Sequence, residues 1–241
     1  MEFFRLTSLY LLSFTLLLHG LHATDPIYHR CSSTENYTTN GPFSKNLDQM
    51  LTSLPVKVPL TGFALSSVGK RPDKVNGLAL CRGDVSRSDC KKCLDGAISE
   101  IRDQCPCKED AIIWFDYCLL RYSNVDFFGK IDTVNRLYLW NTESVHDPDT
   151  FNQKTKDLLH HLSHEAYLSP LMYASGEMDI GEHEKLYGLA QCTRDLSGRD
   201  CKKCLKSAIS QLPACCNGKK GGRVYWGSCN IRYEMSPFVN A

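Results

Sequence analysis

The sequence predicts an α+β protein made of two tandem small disulfide-stapled domains, each with two helices packed on an antiparallel β-sheet. Three observations predict it: a globular composition, a cysteine pattern that occurs twice, and hydrophobic periodicities that switch between helical and strand type. The 241 residues are 42% hydrophobic and 23% charged, with a formal net charge of +1. Disordered chains are poorer in apolar residues and carry more unbalanced charge. The length allows one large domain or two of about 100 residues. A near-neutral chain lacks the concentrated basic surface that nucleic acid requires, so no nucleic-acid partner is expected. The same balance excludes a cationic membrane-lytic peptide. The unusual number is 13 cysteines.

Residues 1–23 have the form of a secretory signal: Arg5 at the start, an apolar run from Leu9 to Leu18, and a cleavage region from Gly20 to Ala23. Leu21 is a poor residue three positions before a cut at Ala23, which allows the cut to shift by a residue or two. A membrane span needs about 20 apolar residues, and neither this run nor any later one reaches that length. The expected product is secreted, without a transmembrane anchor. In an oxidising compartment the cysteines read as disulfides. In a reducing one, Cys90-x-x-Cys93 and Cys201-x-x-Cys204 would read as zinc or redox pairs. The export segment selects the first reading, with no metal and no cofactor.

The duplication sets the domain plan. Cys81, Cys90, Cys93, Cys105 and Cys118 map onto Cys192, Cys201, Cys204, Cys216 and Cys229 with a constant offset of 111. Gly77 with Gly188, Asp89 with Asp200, and Arg121-Tyr122 with Arg232-Tyr233 keep that register. The predicted units are 24–130 and 136–241, with linker sequence near Gly129 to Leu139. In the first copy Pro42 precedes a helical stripe of Phe43, Leu47, Met50, Leu51 and Leu54; Phe151, Leu158, Leu159 and Leu162 form its counterpart. A longer helix follows each double-cysteine motif. Cys90, Cys93, Leu94, Ala97, Ile98, Ile101 and Cys105 share one face, as do Cys201, Cys204, Leu205, Ala208, Ile209, Leu212 and Cys216. Ser86 and Ser197 are the expected N-caps. Strands are expected at Gly77 to Cys81, Ala111 to Tyr122, Gly188 to Cys192 and Val224 to Tyr233. Two helices against a short sheet make a small α+β unit, whose modest core gains about 2–4 kcal/mol from each closed loop.

The Cys-x8-Cys-x2-Cys motif, at Cys81–Cys90–Cys93 and Cys192–Cys201–Cys204, resembles the ginkbilobin-homologous cysteine-rich domain of land plants. The runs from Cys216 to Arg223 and from Cys229 to Glu234 strengthen the likeness. Tandem copies form the ectodomains of cysteine-rich receptor-like kinases and plasmodesmata-located proteins, and the cysteine-rich repeat secretory proteins. A chain that stops at Ala241 with no kinase resembles the secretory group; a piece of a receptor kinase is the alternative. The resemblance implies the bonds Cys31–Cys105, Cys81–Cys90, Cys93–Cys118, Cys192–Cys201 and Cys204–Cys229. Two departures stand out. Aligned on Phe151, the second copy has Trp140 where the leading cysteine belongs, so Cys216 loses its partner. Cys215 and Cys216 are then left to form a vicinal bridge, pair elsewhere or stay reduced. Cys107 is an extra thiol, expected to remain free, with an intermolecular bond as the alternative.

The family's antifungal prototype is a mannose-binding lectin. Its sugar-binding Asn, Arg and Glu fall on Asn141, Arg223 and Glu234 of the second copy. In the first copy the same slots hold Ser32, Ile112 and Ser123, which cannot build the site. The chemistry suits a hexose: Glu accepts two hydrogen bonds, Arg donates a planar fork, and Asn does one of each. The competing reading pairs Arg223 with Glu234 structurally at an exposed sheet edge, for about 0–1 kcal/mol. They are 11 residues apart, and strict alternation places them on opposite faces unless Gly227-Ser228 supplies a bulge or turn. The implied role is non-enzymatic recognition in the apoplast. Two classes of partner fit: mannose-containing glycans in an antifungal defence role, or the ectodomains of receptor-like kinases met by a protein-interaction module. Oligomeric state is not readable.

The remaining motifs are weaker. His160, His161 and His164 lie on one helix but lack a further ligand at a recognised spacing, so a solvated face is expected. Lys219-Lys220-Gly221-Gly222-Arg223 lacks the Ser/Thr of a phosphate loop. Trp114 and Trp226 are expected in the core. No nucleophile elbow or catalytic cysteine signature is present. Asn36-Tyr37-Thr38 is the one N-glycosylation sequon, expected to be used in an exported chain.

Overall fold

The computed structural model describes residues 25–239 apart from 32, 33, 35, 182 and 183; the predicted export segment lies outside them. The first half runs β1 (Tyr28–Cys31), α1 (Pro42–Thr61), β2 (Phe63–Val68), β3 (Val75–Cys81), α2 (Arg87–Gln104), β4 (Asp110–Trp114) and β5 (Cys118–Ser123). The second repeats it as β6 (Arg136–Trp140), α3 (Pro148–Leu168), β7 (Tyr173–Gly181), β8 (Glu184–Cys192), α4 (Gly198–Ile209), the short α5 (Leu212–Cys215), β9 (Gly221–Trp226) and β10 (Cys229–Glu234). Each half forms one antiparallel sheet of five strands, ordered β1-β4-β5-β3-β2 and β6-β9-β10-β8-β7. The fold is α+β in two domains.

Local chemistry sets the element ends. The Ser86 hydroxyl accepts the Asp89 amide at the start of α2, and Ser197 accepts Asp200 in the same way at α4. Each satisfies a donor that the first helical turn leaves free. Pro42 opens α1 and Gly62 closes it at φ 80°, the left-handed region. The sequence anticipates one continuous helix from Cys201 to Cys216, but the chain breaks after Ile209 and resumes as α5. Pro213 is the cause: its ring clashes with the carbonyl four residues back, that of Ile209, and it has no N–H to donate. The first copy has Arg102 at that place and its helix continues to Gln104. The sheets also gain strands that periodicity did not reveal. β1, β2, β6 and β7 are edge strands, half solvated and therefore mixed in pattern. The end of the expected linker, from Arg136, is already β6, and Asp132 anchors the rest through the Ser228 hydroxyl, Asn135 and Arg121.

The helices cover one face of each sheet. Met50, Leu54, Leu94, Ile101, Ile113 and Leu120 fill the first core, and Leu158, Leu159, Leu162, Leu205, Val224 and Ile231 the second. The repeated glycines mark where the first helix crosses the sheet. A Cβ on Gly188 would lie 2.7 Å from Leu162 Cδ1, and one on Gly77 would overlap Met50. The repeated tyrosines do equivalent work, since Tyr122 donates to Lys108 O at 3.0 Å and Tyr233 to Lys219 O at 3.1 Å. Disulfides join helix to sheet: Cys81–Cys90 and Cys93–Cys118 in one domain, Cys192–Cys201 and Cys204–Cys229 in the other. Cys31–Cys105 ties β1 to the end of α2. The second domain has no counterpart, and Cys215 bonds its neighbour Cys216. Trp140 opposes Gly222 as Cys31 opposes Ala111, so the tryptophan occupies the leading cysteine's place. Cys107 is unbonded and half-buried.

The other sheet faces meet each other. Leu78, Leu80, Ile112, Trp114 and Leu119 pack with Tyr225, Leu137 and Leu139 in a third apolar cluster between the domains. Trp114 therefore lies in this seam, while Trp226 lies in the second helix-side core. Their places differ because Trp226 opposes Cys229 across the turn, one step along from Tyr225, the true counterpart of Trp114. At the seam's edge Tyr173 packs its ring on Gly83, and burial pushes its hydroxyl pKa up to about 12. The unfolded value is about 10, so the contribution is complete below that pH and is lost as pH rises through about 12. Native protein should therefore lose stability, by about 1–3 kcal/mol from this group, on passing from about pH 9 into that range. In denaturant titrations Tyr173→Phe should lose correspondingly less; an identical loss would contradict the assignment.

Candidate functional site

The β9–β10 hairpin places the two charged residues of the candidate sugar site. Its loop is the pair Gly227-Ser228, and its register sets Arg232 opposite Arg223 and Glu234 opposite Gly221. Residues directly opposed in a hairpin share a face, and a two-residue loop puts them an odd number of positions apart. The alternation argument against Arg223 and Glu234 therefore fails at the turn. They share a face without any bulge, and the two-residue turn is the reason. They also do not sit at a sheet edge, because β10 is the central strand and β9 its inner neighbour.

β6 lies outside β9, with Leu139 opposite Arg223 and Trp140 opposite Gly222. One residue further, the Asn141 amide donates to Gly221 O at 2.9 Å, and Asn141 Oδ1 accepts the Glu143 amide at 2.9 Å. Asn141, Arg223 and Glu234 thus line one open cleft of about 340 Å³, together with Trp140, Gly221 and Gly222. Trp140 is 54% exposed, but the register puts its side chain on the helix side of the sheet with Gly222 and Tyr233, on the other face from Arg223 and Glu234. Gly221 is required by proximity, since a Cβ on it would overlap Glu234 Oε2.

The charges extend across the seam. Glu234 Oε1 lies 3.1 Å from Arg232 Nε and 3.5 Å from Arg223 Nε. Asp116, on the β4–β5 turn of the first domain, receives Arg223 Nη1 at 2.9 Å and Arg232 Nη1 at 3.1 Å on one oxygen. Its other oxygen lies 3.2 Å from Arg82 Nη1. Arg82 also pairs with Asp84 and donates to Phe238 O at 3.1 Å. Burial, then the neighbouring Arg223 charge, holds the Arg232 pKa below its ordinary value. For Arg223 burial acts in the same direction, but Tyr225, Asp116 and Glu234 outweigh it and the pKa rises. Arg223 and Glu234 do pair, then, within a part-buried network of three arginines and three carboxylates. Asp84, Asp116, Arg82 and Arg232 are the members that sequence reasoning missed. The bonds of Asp116 to Arg223 and Arg232 leave no local signal, because they join residues more than 100 apart.

The other candidates lie apart. Ile112 is fully buried in the seam and Ser123 is buried, while Ser32 is outside the described residues. His160, His161 and His164 are exposed on α3, and no group of three potential metal ligands occurs among the described residues. Lys220 contacts Glu143, and Lys219 donates to Thr142 O and Ser144. Asn36 is exposed and bridges in backbone register to Lys108. Cys107 Sγ lies 3.6 Å from Thr39 Oγ1.

Removing the shared carboxylate tests the network. Asp116→Asn leaves three guanidiniums facing one another with one acceptor charge fewer. It should cost about 1–3 kcal/mol in denaturant titration, with the loss reduced at high salt. A loss below measurement at low salt would contradict the network.

Comparison with known proteins identifies the family. The family described as "Salt stress response/antifungal" matches residues 30–125 and again 140–236. An "antimicrobial ginkbilobin-2-like protein" of Castanea crenata is 56% identical over 94% of this chain and 94% of its own length. "Cysteine-rich repeat secretory protein 38" of Arabidopsis thaliana is 52% identical over 88% of this chain and 85% of its own. Among solved structures, the tandem DUF26 ectodomain of the Arabidopsis thaliana cysteine-rich receptor-like protein PDLP8 superposes with a TM-score of 0.78 at 33% identity. It covers 89% of this chain and 100% of that one. No helix among the described residues is long and apolar enough to cross a membrane. With both halves matched and relatives this similar over most of its length, the chain belongs to the salt stress response/antifungal family as a tandem cysteine-rich member with an ectodomain-type fold.

Proposed function

We propose that this protein is a secreted, non-enzymatic recognition protein of the plant apoplast that binds mannose-containing glycans in an antifungal defence role. One observation carries the reading: Asn141, Arg223 and Glu234 line a single open cleft. Both arginines approach Glu234 through Oε1, which leaves Oε2 to accept from a sugar hydroxyl. Asn141 Oδ1 is occupied by the Glu143 amide, so its NH2 group is the part that donates. Arg223 adds a planar fork. Their arrangement is held before any ligand arrives, which lowers the cost of ordering them. The names of the antimicrobial and secretory relatives support the defence role and the export.

A second reading, a protein-interaction module that meets other cysteine-rich ectodomains such as those of receptor-like kinases, is favoured by a different observation. Leu60 and Leu171 are 64% and 47% exposed and lie outside the seam cluster.

Titration of the native protein with mannose and with mannan tests the first reading. A single hexose should bind with a Kd on the order of 1 mM, about −4 kcal/mol, and mannan more tightly through clustered residues. Glu234→Ala and Asn141→Ala should each weaken binding at least about tenfold; Asn141 is exposed, so its variant keeps the fold and isolates the contact. Equal binding by native protein and both variants, or none by the native protein, would overturn the glycan reading.

A further inference from the structure

A second concave surface lies between the domains and shares no lining residue with the glycan cleft. It is a groove of about 450 Å³, within the range of ordinary ligand sites. The first domain supplies Pro59 to Gly62 from the end of α1, Leu80 to Gly83 from the end of β3, and Val85 and Arg87 from the start of α2. The second supplies Leu171, Gln191 and Arg194. Two bonds hold its sides together: Arg194 Nη1 donates to Thr61 O at 2.6 Å, and buried Gln191 Nε2 donates to Cys81 O at 3.0 Å. The Cys81–Cys90 disulfide is part of its wall. The groove therefore exists only when both copies are present.

Its chemistry is one-sided. Three arginines and no carboxylate line it among the described residues. Arg82 is neutralised by Asp84 and Asp116, so Arg87 and Arg194 carry the net charge. Leu60 and Leu171 stand exposed at the rim, with Pro59, Leu80 and Val85 behind them. No aromatic ring lines it among the described residues, so the platform on which a hexose stacks is missing. An anion with an apolar neighbour satisfies such a surface: the carboxylate forks onto a guanidinium, and the apolar group covers leucine that is otherwise wet.

The geometry points to this groove as a docking site for an acidic peptide segment that places an aliphatic side chain between carboxylates. The inference gives the protein-interaction reading a location and rests on that reading; it is independent of the glycan cleft. The test is fluorescence anisotropy on the full chain with a labelled peptide Gly-Glu-Leu-Glu-Gly. Gly-Glu-Ser-Glu-Gly removes the apolar group, and Gly-Lys-Leu-Lys-Gly reverses the charge. The native protein should bind the first at least about tenfold more tightly than either control. Arg87→Glu and Leu171→Asp, both at exposed positions, should each lower that binding about tenfold or more. Binding unchanged in both variants would overturn the groove while leaving protein recognition elsewhere on the surface. Equal binding of the three peptides, or none, would overturn the ligand chemistry. Failure of the native protein to bind a cysteine-rich ectodomain immobilised on a sensor surface, measured in parallel, would remove the broader reading as well.

Discussion

In each domain, two disulfides fasten the helix after the third strand to the sheet beneath it, and the rest of the molecule follows from that attachment. A unit of about 100 residues has a small core, and a cross-link removes chain entropy from its unfolded state. Cys81–Cys90 and Cys93–Cys118 fix α2 at both the entry and the body of the helix, and Cys192–Cys201 and Cys204–Cys229 do the same for α4. With the helices held on one face, the opposite faces are free to carry Leu78, Leu80, Ile112 and Trp114 against Tyr225, Leu137 and Leu139. The seam between the copies is thus a consequence of how each copy is stapled.

The difference between the copies produces the candidate site. The first domain spends its leading cysteine on a bond from β1 to the helix end. In the second, Trp140 stands at that strand position and remains half exposed, and the cysteine left without a partner bonds its neighbour. Trp140 faces the helix side of the sheet, and Asn141 follows it against Gly221. Arg223 then serves two structures at once, as a wall of the cleft and as a partner of Asp116 across the seam. The cleft is preorganised by the contact between domains, so a ligand there and the packing of the copies are energetically linked.

Much of this was legible in the residues. The constant spacing of five cysteines gave the duplication, the i, i+3, i+4 stripes gave the helices, and Ser86 and Ser197 marked their starts. What stayed hidden depends on partners far away in sequence. The edge strands β2 and β7 are half solvated and carry no clean alternation. Trp114 and Trp226 both belong to strands with two buried faces, and only the offset of 111, which pairs Trp114 with Tyr225, separates them. Pro213 marks the break after Ile209, although the apolar stripe runs on past it to Cys216. Within the site, the shared face of Arg223 and Glu234 required the hairpin register, and Asp116 required the arrangement of two whole domains.

The most direct test is a peptide map of the purified, unreduced protein by mass spectrometry after free thiols are blocked. The account predicts the five helix-to-sheet and strand-to-helix bonds, an intact Cys215–Cys216 link, and a single blocked thiol at Cys107. Extensive blocking at Cys90, Cys93, Cys201 or Cys204, or a metal ion retained by those residues, would contradict it.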